Sequence, residues 1–326
     1  MSKLVTIYGG SGFVGRYIAR RMARAGWRVR VAVRHPNEAM FVRPFGVVGQ
    51  VEPVLCNIRD DASVAAAMVG ADAVVNCVGT MGLDRKNTFD AVHIDGAARV
   101  ARLAAAGGVG TMVHISAIGA NADSPSEYGR SKAAGEAAVL DHMPNATILR
   151  PSVIFGAEDA FFNRFARMAT NAPVIPLVGA DTKFQPVFVD DVAAAAERAL
   201  TDTSVSGIYE LGGPRVATFR DWMATMLGVI QRRRLVLGLP FFAGHMLGAV
   251  FEFGRAVSLG ILPAMITRDQ VKSLRVDNMP NGDTPGLAEL GVTPTAVETE
   301  LPDYLWRFRP SGQYAAIKAS AKNLKT

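Results

Sequence analysis

Short apolar runs recur along the first half of the chain and alternate with longer segments whose apolar positions repeat at helical spacing. Residues 4–7, 28–33, 50–56, 71–77 and 111–116 read as strands. Residues 17–25, 62–68, 92–106 and 128–141 read as helices between and after them, 92–106 being rich in alanine. Strands that alternate with helices and carry near-continuous apolar runs are buried on both faces. This predicts an α/β fold with a doubly wound parallel sheet and right-handed crossovers. Further on, 207–211 reads as a strand and 219–230 as a helix.

Between the first strand and the first helix lies Gly9-Gly10-Ser11-Gly12-Phe13-Val14-Gly15. Gly9 suits a sharp turn out of the strand. Gly12 leaves room for a pyrophosphate against the backbone, and Gly15 allows close packing of helix on strand. The helix then offers free N–H groups and a partial positive charge to phosphates. A glycine triplet has force only between a strand and a helix, and this one lies there. Gly9, Ser11, Gly12, Phe13, Val14 and Gly15 are therefore the candidate dinucleotide contacts.

Ligands of such sheets sit outside the carboxyl ends of strands. Asn57, Ile58, Val78 and Gly79 fall there and become candidate adenine and ribose contacts. At the end of the second strand stands Arg34, where an acid would accept hydrogen bonds from a ribose. A guanidinium suits a 2′-phosphate instead, so the expected cofactor is NADPH. Glu38 is poorly placed to act as the acid. Tyr128 and Lys132 are four apart and share a helix face. An ammonium beside a phenol is expected to lower the phenol's pKa and fit it for proton transfer, with Ser116 as a hydrogen-bond donor. The candidate catalytic set is Ser116, Tyr128 and Lys132.

These features together resemble the short-chain dehydrogenase/reductase superfamily in its extended or atypical branch. The resemblance runs at least over 3–213. It rests on the three glycines, Asn57-Ile58-Arg59-Asp60, Ser116, Tyr128, Lys132, and Arg150-Pro151-Ser152-Val153-Ile154-Phe155-Gly156. In that superfamily the last segment carries the chain past the nicotinamide, which adds Pro151 and Ser152 to the cofactor candidates. Tyr8 stands where the superfamily has threonine. The segments 155–166, 173–177 and 182–193 are similar to the nucleotide-binding accessory subunits of respiratory complex I and their bacterial counterparts. That resemblance implies a structural, NADPH-holding protein in which Tyr128 and Lys132 serve binding only. It also implies partners among complex I subunits in the peripheral arm near the quinone site, and a place at the cytoplasmic face of a bacterial inner membrane. An active NADP-dependent reductase or epimerase, and an NADPH redox sensor, are the competing readings. The superfamily resemblance implies that residues 188–193 are a strand and helix returning to the nucleotide domain. The expected domains are thus 1–155 with 183–213, an interleaved smaller lobe of 156–182 with 214–308, and a tail of 309–326.

Composition changes this picture little. A net charge of +6 suits an anionic cofactor, partner or membrane surface, and no nucleic-acid motif appears. Cys56 and Cys77 read as reduced core thiols, and five scattered histidines do not make a metal site. The first strand begins at once, so no signal peptide is expected. The longest uncharged stretch, 235–251, is broken by Gly238 and Pro240 and falls short of a spanning helix. Arg232-Arg233-Arg234 adjoins it and a second apolar run, 256–266, follows. The region 232–266 reads from sequence alone as an ordinary lobe core with an adjacent basic loop; the complex I resemblance makes a membrane-surface element, to which each basic residue would add about 1 kcal/mol, an equal candidate.

Overall fold

The structure, a computed structural model, describes residues 2–80, 86–257 and 266–314. The chain opens with β1 (Leu4–Tyr8), α1 (Phe13–Arg24), β2 (Arg28–Val33), β3 (Val51–Leu55), α2 (Asp61–Met68) and β4 (Ala73–Asn76). It continues with α3 (Asp95–Ala106), β5 (Thr111–Ile115), α4 (Glu127–His142), β6 (Thr147–Pro151), β7 (Ile154–Phe155), α5 (Phe162–Asn171) and β8 (Val174–Val178). Then come β9 (Lys183–Phe184), β10 (Val187–Phe188), α6 (Val189–Thr201), β11 (Gly207–Leu211), β12 (Ala217–Thr218) and α7 (Phe219–Val229). The last are β13 (Leu235–Leu239), α8 (Phe241–Val257), α9 (Arg268–Ser273) and α10 (Val297–Leu305).

Two compact units divide the chain. The first comprises 1–152, 189–212 and 280–294, and the second 153–188, 213–279 and 295–326. Residues 280–294, expected in the smaller lobe, thus belong to the first unit, and 183–188 to the second. The first unit holds a seven-stranded sheet in the order β11-β6-β5-β4-β1-β2-β3. Every strand pair in it is parallel. Order reverses at β1: β2 and β3 lie on one side and β4 on the other, the switch point at which such sheets bind ligands.

Local chemistry explains these elements. All five residues of β1 are buried, as a central parallel strand requires. Tyr8 fits there because its ring fills the core while its hydroxyl donates to Val64 O at 2.8 Å. Asp60 caps α2 by accepting from Ser63 N, and Ser126 caps α4 by accepting from Gly129 N. The alanine-rich run starts later than its spacing suggests. Asp90–Ile94 forms one π-turn before α3, whose Ala97, Val100, Ala101 and Ala104 enter the core. Of the segment expected to return as strand and helix, only α6 joins the first unit, where Arg21 binds Asp190 (2.7 Å) and Glu197 (3.0 Å). The strand, β10, pairs with β7 in the second unit.

The second unit is built on rings: Phe155, Phe162, Phe184, Phe219 and Trp222 share one core. The uncharged stretch is a strand followed by a helix. β13 pairs with β8, and Leu235 and Leu237 are exposed. α8 seats Gly244 and Gly248 inward, because added Cβ atoms there would lie 2.7 Å from Val178 and 2.9 Å from Arg268 N. Its outward positions are Phe242, Met246, Val250 and Phe253, all exposed. The arginine triplet differs from its expected role. Arg232 Nε donates to Phe308 O (2.8 Å) and Arg234 Nε to Ala169 O (2.7 Å), leaving only Arg233 wholly exposed. Much of the second apolar run, 258–265, and the tail from 315 lie outside the described residues. Among the described residues no helix is long and apolar enough to cross a membrane.

Candidate functional site

The carboxyl ends of β1, β4, β5 and β6 bring together most residues that the sequence singles out. Gly9 turns with φ of +74°, a conformation costly for a side-chain-bearing residue, and its N–H donates to Ala32 O at 2.9 Å. A Cβ on Gly9 would meet Cys77 and Val78 backbone at 3.2 Å, so the turn lies against the β4 end. Gly15 has the tightest approach of the three: its Cβ would lie 2.5 Å from Gly9 O and 2.7 Å from Gly10 Cα. It packs on the turn itself, where the spacing suggests the strand. Gly12 is the N-cap of α1, and a Cβ there would meet only Gly9 O at 3.0 Å. No side chain caps the helix and no acid lies in its first turn. A cradle of this kind fits a pyrophosphate: open at Gly12, with helix N–H groups that no side chain satisfies. Ser11, Phe13 and Val14 are half-buried around it, and Arg16 Nη2 donates to Ser11 O at 2.9 Å.

Arg34 directly follows β2 and is exposed, and among the described residues no hydrogen bond or ion pair occupies it. Asn57 is exposed and its Oδ1 accepts from Arg59 N, while Ile58 is buried against Gly96. Val78 N donates to Asn76 Oδ1 at 3.1 Å, leaving Gly79 at the exposed rim. Pro151 and Ser152 are buried: Pro151 O accepts from Ile118 N and Ser152 N donates to Leu211 O.

α4 presents Tyr128, Lys132 and Glu136 on one face. Their chemistry departs from expectation. Lys132 is 4% exposed and its Nζ donates to Ile115 O at 2.7 Å. Burial pushes its ammonium down to about 8, against the opposing pull of Glu136 and Cys77. Burial pushes the Tyr128 phenol up to about 12, so Lys132 does not bring it towards neutrality here. Ser116 donates its hydroxyl to the Glu136 carboxylate. Arg150 grips the same carboxylate with two bonds, 2.9 and 2.6 Å, and lies 3.6 Å from Glu210. Ser116 is thus part of a buried ion network. In this arrangement Lys132 is tied to Ile115 O and Ser116 to Glu136, and Ser116 would have to change partners before donating to a substrate oxygen.

Sequence reasoning misses His93 and the buried pair Asn76–His114, whose Nδ2 and Nδ1 lie 3.2 Å apart. His93 is buried; its Nε2 accepts from Thr80 N at 3.0 Å and its Nδ1 faces Ser131 Oγ at 2.9 Å. It stacks on Phe89 and meets Tyr128 edge-on. Burial first, then Lys132, pushes its imidazole down to about 4, so it is neutral at pH 7. No spacing signal marks His93, inside an alanine-rich segment. Glu136 could have been found, four residues beyond Lys132.

A parallel sheet whose strand order reverses beside a glycine cradle defines a dinucleotide-binding α/β protein. Residues 5–212 match the NAD dependent epimerase/dehydratase family, and the chain belongs to that family. It is 32% identical, over 98% of its own length and 81% of the relative's, to NADH dehydrogenase (ubiquinone) 1 alpha subcomplex subunit 9, mitochondrial, of Arabidopsis thaliana. It is 30% identical to a ceramide reductase of Caulobacter vibrioides, covering 91% of this chain and 85% of that one. An NADPH-dependent quinone oxidoreductase of Escherichia coli, complexed with NADPH, shares the fold. The TM-score is 0.70 at 19% identity, with 92% and 99% of the two chains covered.

Proposed function

We propose that this protein is an accessory subunit of NADH:ubiquinone oxidoreductase, respiratory complex I, holding NADPH as a structural cofactor. The observation that carries the reading is the similarity to subunit 9, which runs through 98% of the chain and so includes the second unit as well as the nucleotide fold. Its partners are other complex I subunits in the peripheral arm near the quinone site. The site supports a holding role: Ser116 is committed to Glu136 and Lys132 to Ile115 O. Arg34, unpaired among the described residues, supports NADPH over NADH. Gly9, Ser11, Gly12, Phe13, Val14 and Gly15 would bind the pyrophosphate, and Asn57, Ile58, Val78 and Gly79 the adenosine side. Tyr128, Lys132, Pro151 and Ser152 would wall the nicotinamide side.

The second unit supports a peripheral place at the cytoplasmic face of a bacterial inner membrane. α8 exposes Phe242, Met246, Val250 and Phe253 along one stripe. Burying such side chains is worth about 1.5–3 kcal/mol each, so the apolar stripe, rather than the arginine triplet, supplies the attachment. Extraction of native membranes in mild detergent, followed by affinity capture of this chain, tests the reading. Copurified iron–sulfur subunits and bound NADPH are expected; a lone soluble chain contradicts it.

A second reading, an NADP-dependent reductase, is favoured by the 30% identity to a ceramide reductase together with the shared face of Tyr128 and Lys132. Carbonyl-dependent NADPH oxidation by the purified protein, lost in Tyr128→Phe, would favour it.

A further inference from the structure

The end of the first unit's sheet opposite the glycine cradle carries an unusual turn. Residues 46–50 lead into β3, and Val47 and Val48 at its tip are 74% and 105% exposed. The turn is braced on every side by Gln50. Its Nε2 donates to Ala23 O at 2.6 Å and Trp27 O at 2.9 Å, while its Oε1 accepts from Val47 N at 2.9 Å. Gln50 N closes the turn on Val47 O at 3.0 Å. An adjoining loop of polar residues would make the same connection without exposing two β-branched side chains to water. A fixed apolar tip is what a partner's recess can accept at little entropic cost.

Basic residues adjoin the segments that Gln50 binds and the neighbouring strand starts. Arg24 follows Ala23 and Arg28 follows Trp27, the two residues whose carbonyls Gln50 binds. Lys3 O accepts from Arg28 N at 2.9 Å, and its ammonium lies 5.3 Å from the Trp27 ring. Lys3, Arg24 and Arg28 are exposed and none is in an ion pair among the described residues. Two acids share this edge: Glu52, exposed on β3, and Asp72, whose carboxylate accepts from Leu4 N. The balance is basic.

We propose that the 46–50 turn, with its collar of Lys3, Arg24 and Arg28, docks into a protein partner that presents a small apolar recess rimmed by carboxylates. A two-valine tip offers too little apolar area to hold a lipid surface, and its rigidity suits a shaped protein recess. The proposal rests on the reading of this chain as a complex subunit and names the face of the first unit that meets a neighbour.

The test uses the full chain in its native membrane. Val48→p-benzoylphenylalanine, irradiated in membranes, is expected to cross-link a peptide of another subunit containing Asp or Glu; cross-links to lipid alone, or none, overturn the proposal. In parallel, Val47→Asp with Val48→Asp is expected to cut the chain recovered with iron–sulfur subunits roughly tenfold, the scale of a central contact. Lys3→Glu, Arg24→Glu and Arg28→Glu together should do the same in a salt-dependent way. Both sets lie on the surface, so NADPH affinity and melting temperature of the purified chain should stay at wild-type values. If the wild type copurifies and the valine variant does so equally, the docking face is wrong while the subunit reading stands. If the wild type itself fails to copurify, the subunit reading falls first.

Discussion

The Gly9–Gly15 turn of the first unit and α8 of the second are both apolar stretches punctuated by glycine, and they use it to opposite ends. At the turn, the missing side chain at Gly12 leaves the surface open beside the start of α1, whose N–H groups no side chain caps. The result is an open cradle at a helix N-terminus, which suits an anion. In α8, missing side chains at Gly244 and Gly248 face inward and seat the helix against Val178 and Arg268. The apolar side chains are turned out, and the result is a surface. Arginine shows the same division. Arg34 is exposed after β2 with no hydrogen bond or ion pair among the described residues, whereas Arg232 and Arg234 satisfy carbonyls that would otherwise go unpaired. A residue type thus reports a function only once its direction is known.

The sharpest break of this comparison is inside the turn. Gly15→Val forces atoms into Gly9 O and Gly10 Cα, so it should abolish NADPH binding and destabilise even the apo protein, by about 1–3 kcal/mol as overpacking does. Gly12→Val should abolish binding with a nearly unchanged apo melt, because its Cβ meets a single atom. Wild type should gain about 2.7 kcal/mol at a hundredfold excess over Kd, and neither variant should. Melting curves with and without NADPH separate the two; equal apo losses would mean that the two glycines have one role.

A smaller effect separates a free from a bound guanidinium. Arg34→Ala should weaken NADPH roughly ten- to hundredfold, about 1.5–3 kcal/mol, and leave NADH unchanged. Parallel titrations check this.

The polar groups behind the site give a pH dependence. His93 titrates near 4 in the folded protein and near 6.5 when unfolded, so between these values the unfolded state binds the extra proton. Stability is present above pH 6.5 and is lost as pH falls towards 4. Urea melts across that range should show the loss, and His93→Gln should reduce its slope; an unchanged slope would remove His93 as a contributor.

The smallest effects lie on the triplet. Arg232→Ala and Arg234→Ala should each cost about 0.5–1.5 kcal/mol of stability, the worth of a hydrogen bond. Membrane retention should hold unless the fold fails, whereas Phe242→Glu with Phe253→Glu should release the protein with little change in melting. Flotation with anionic vesicles distinguishes these outcomes.

The sheet and its cradle were legible because period, glycine spacing and strand ends are local properties of the chain. Tyr8 departs from the superfamily's residue yet disturbs nothing, since its hydroxyl finds Val64 O. What was not legible depends on long-range partners. Nothing near Ser116 in sequence announces that Glu136, twenty residues on, takes its proton donor. Tyr128 and Lys132 were rightly placed on one helix face, but burial, which spacing does not report, set their acidity. The arginines at 232 and 234 read as surface charge because their acceptors, Phe308 O and Ala169 O, lie 76 and 65 residues away.

The central claim is that the nucleotide is held and not consumed. The most direct measurement is NADH:quinone oxidoreductase activity, with NADPH content of the isolated complex, in membranes carrying Tyr128→Phe in place of the wild-type chain. Wild-type activity with retained NADPH is the predicted result. Loss of activity in a complex that assembles normally and keeps its NADPH would contradict it.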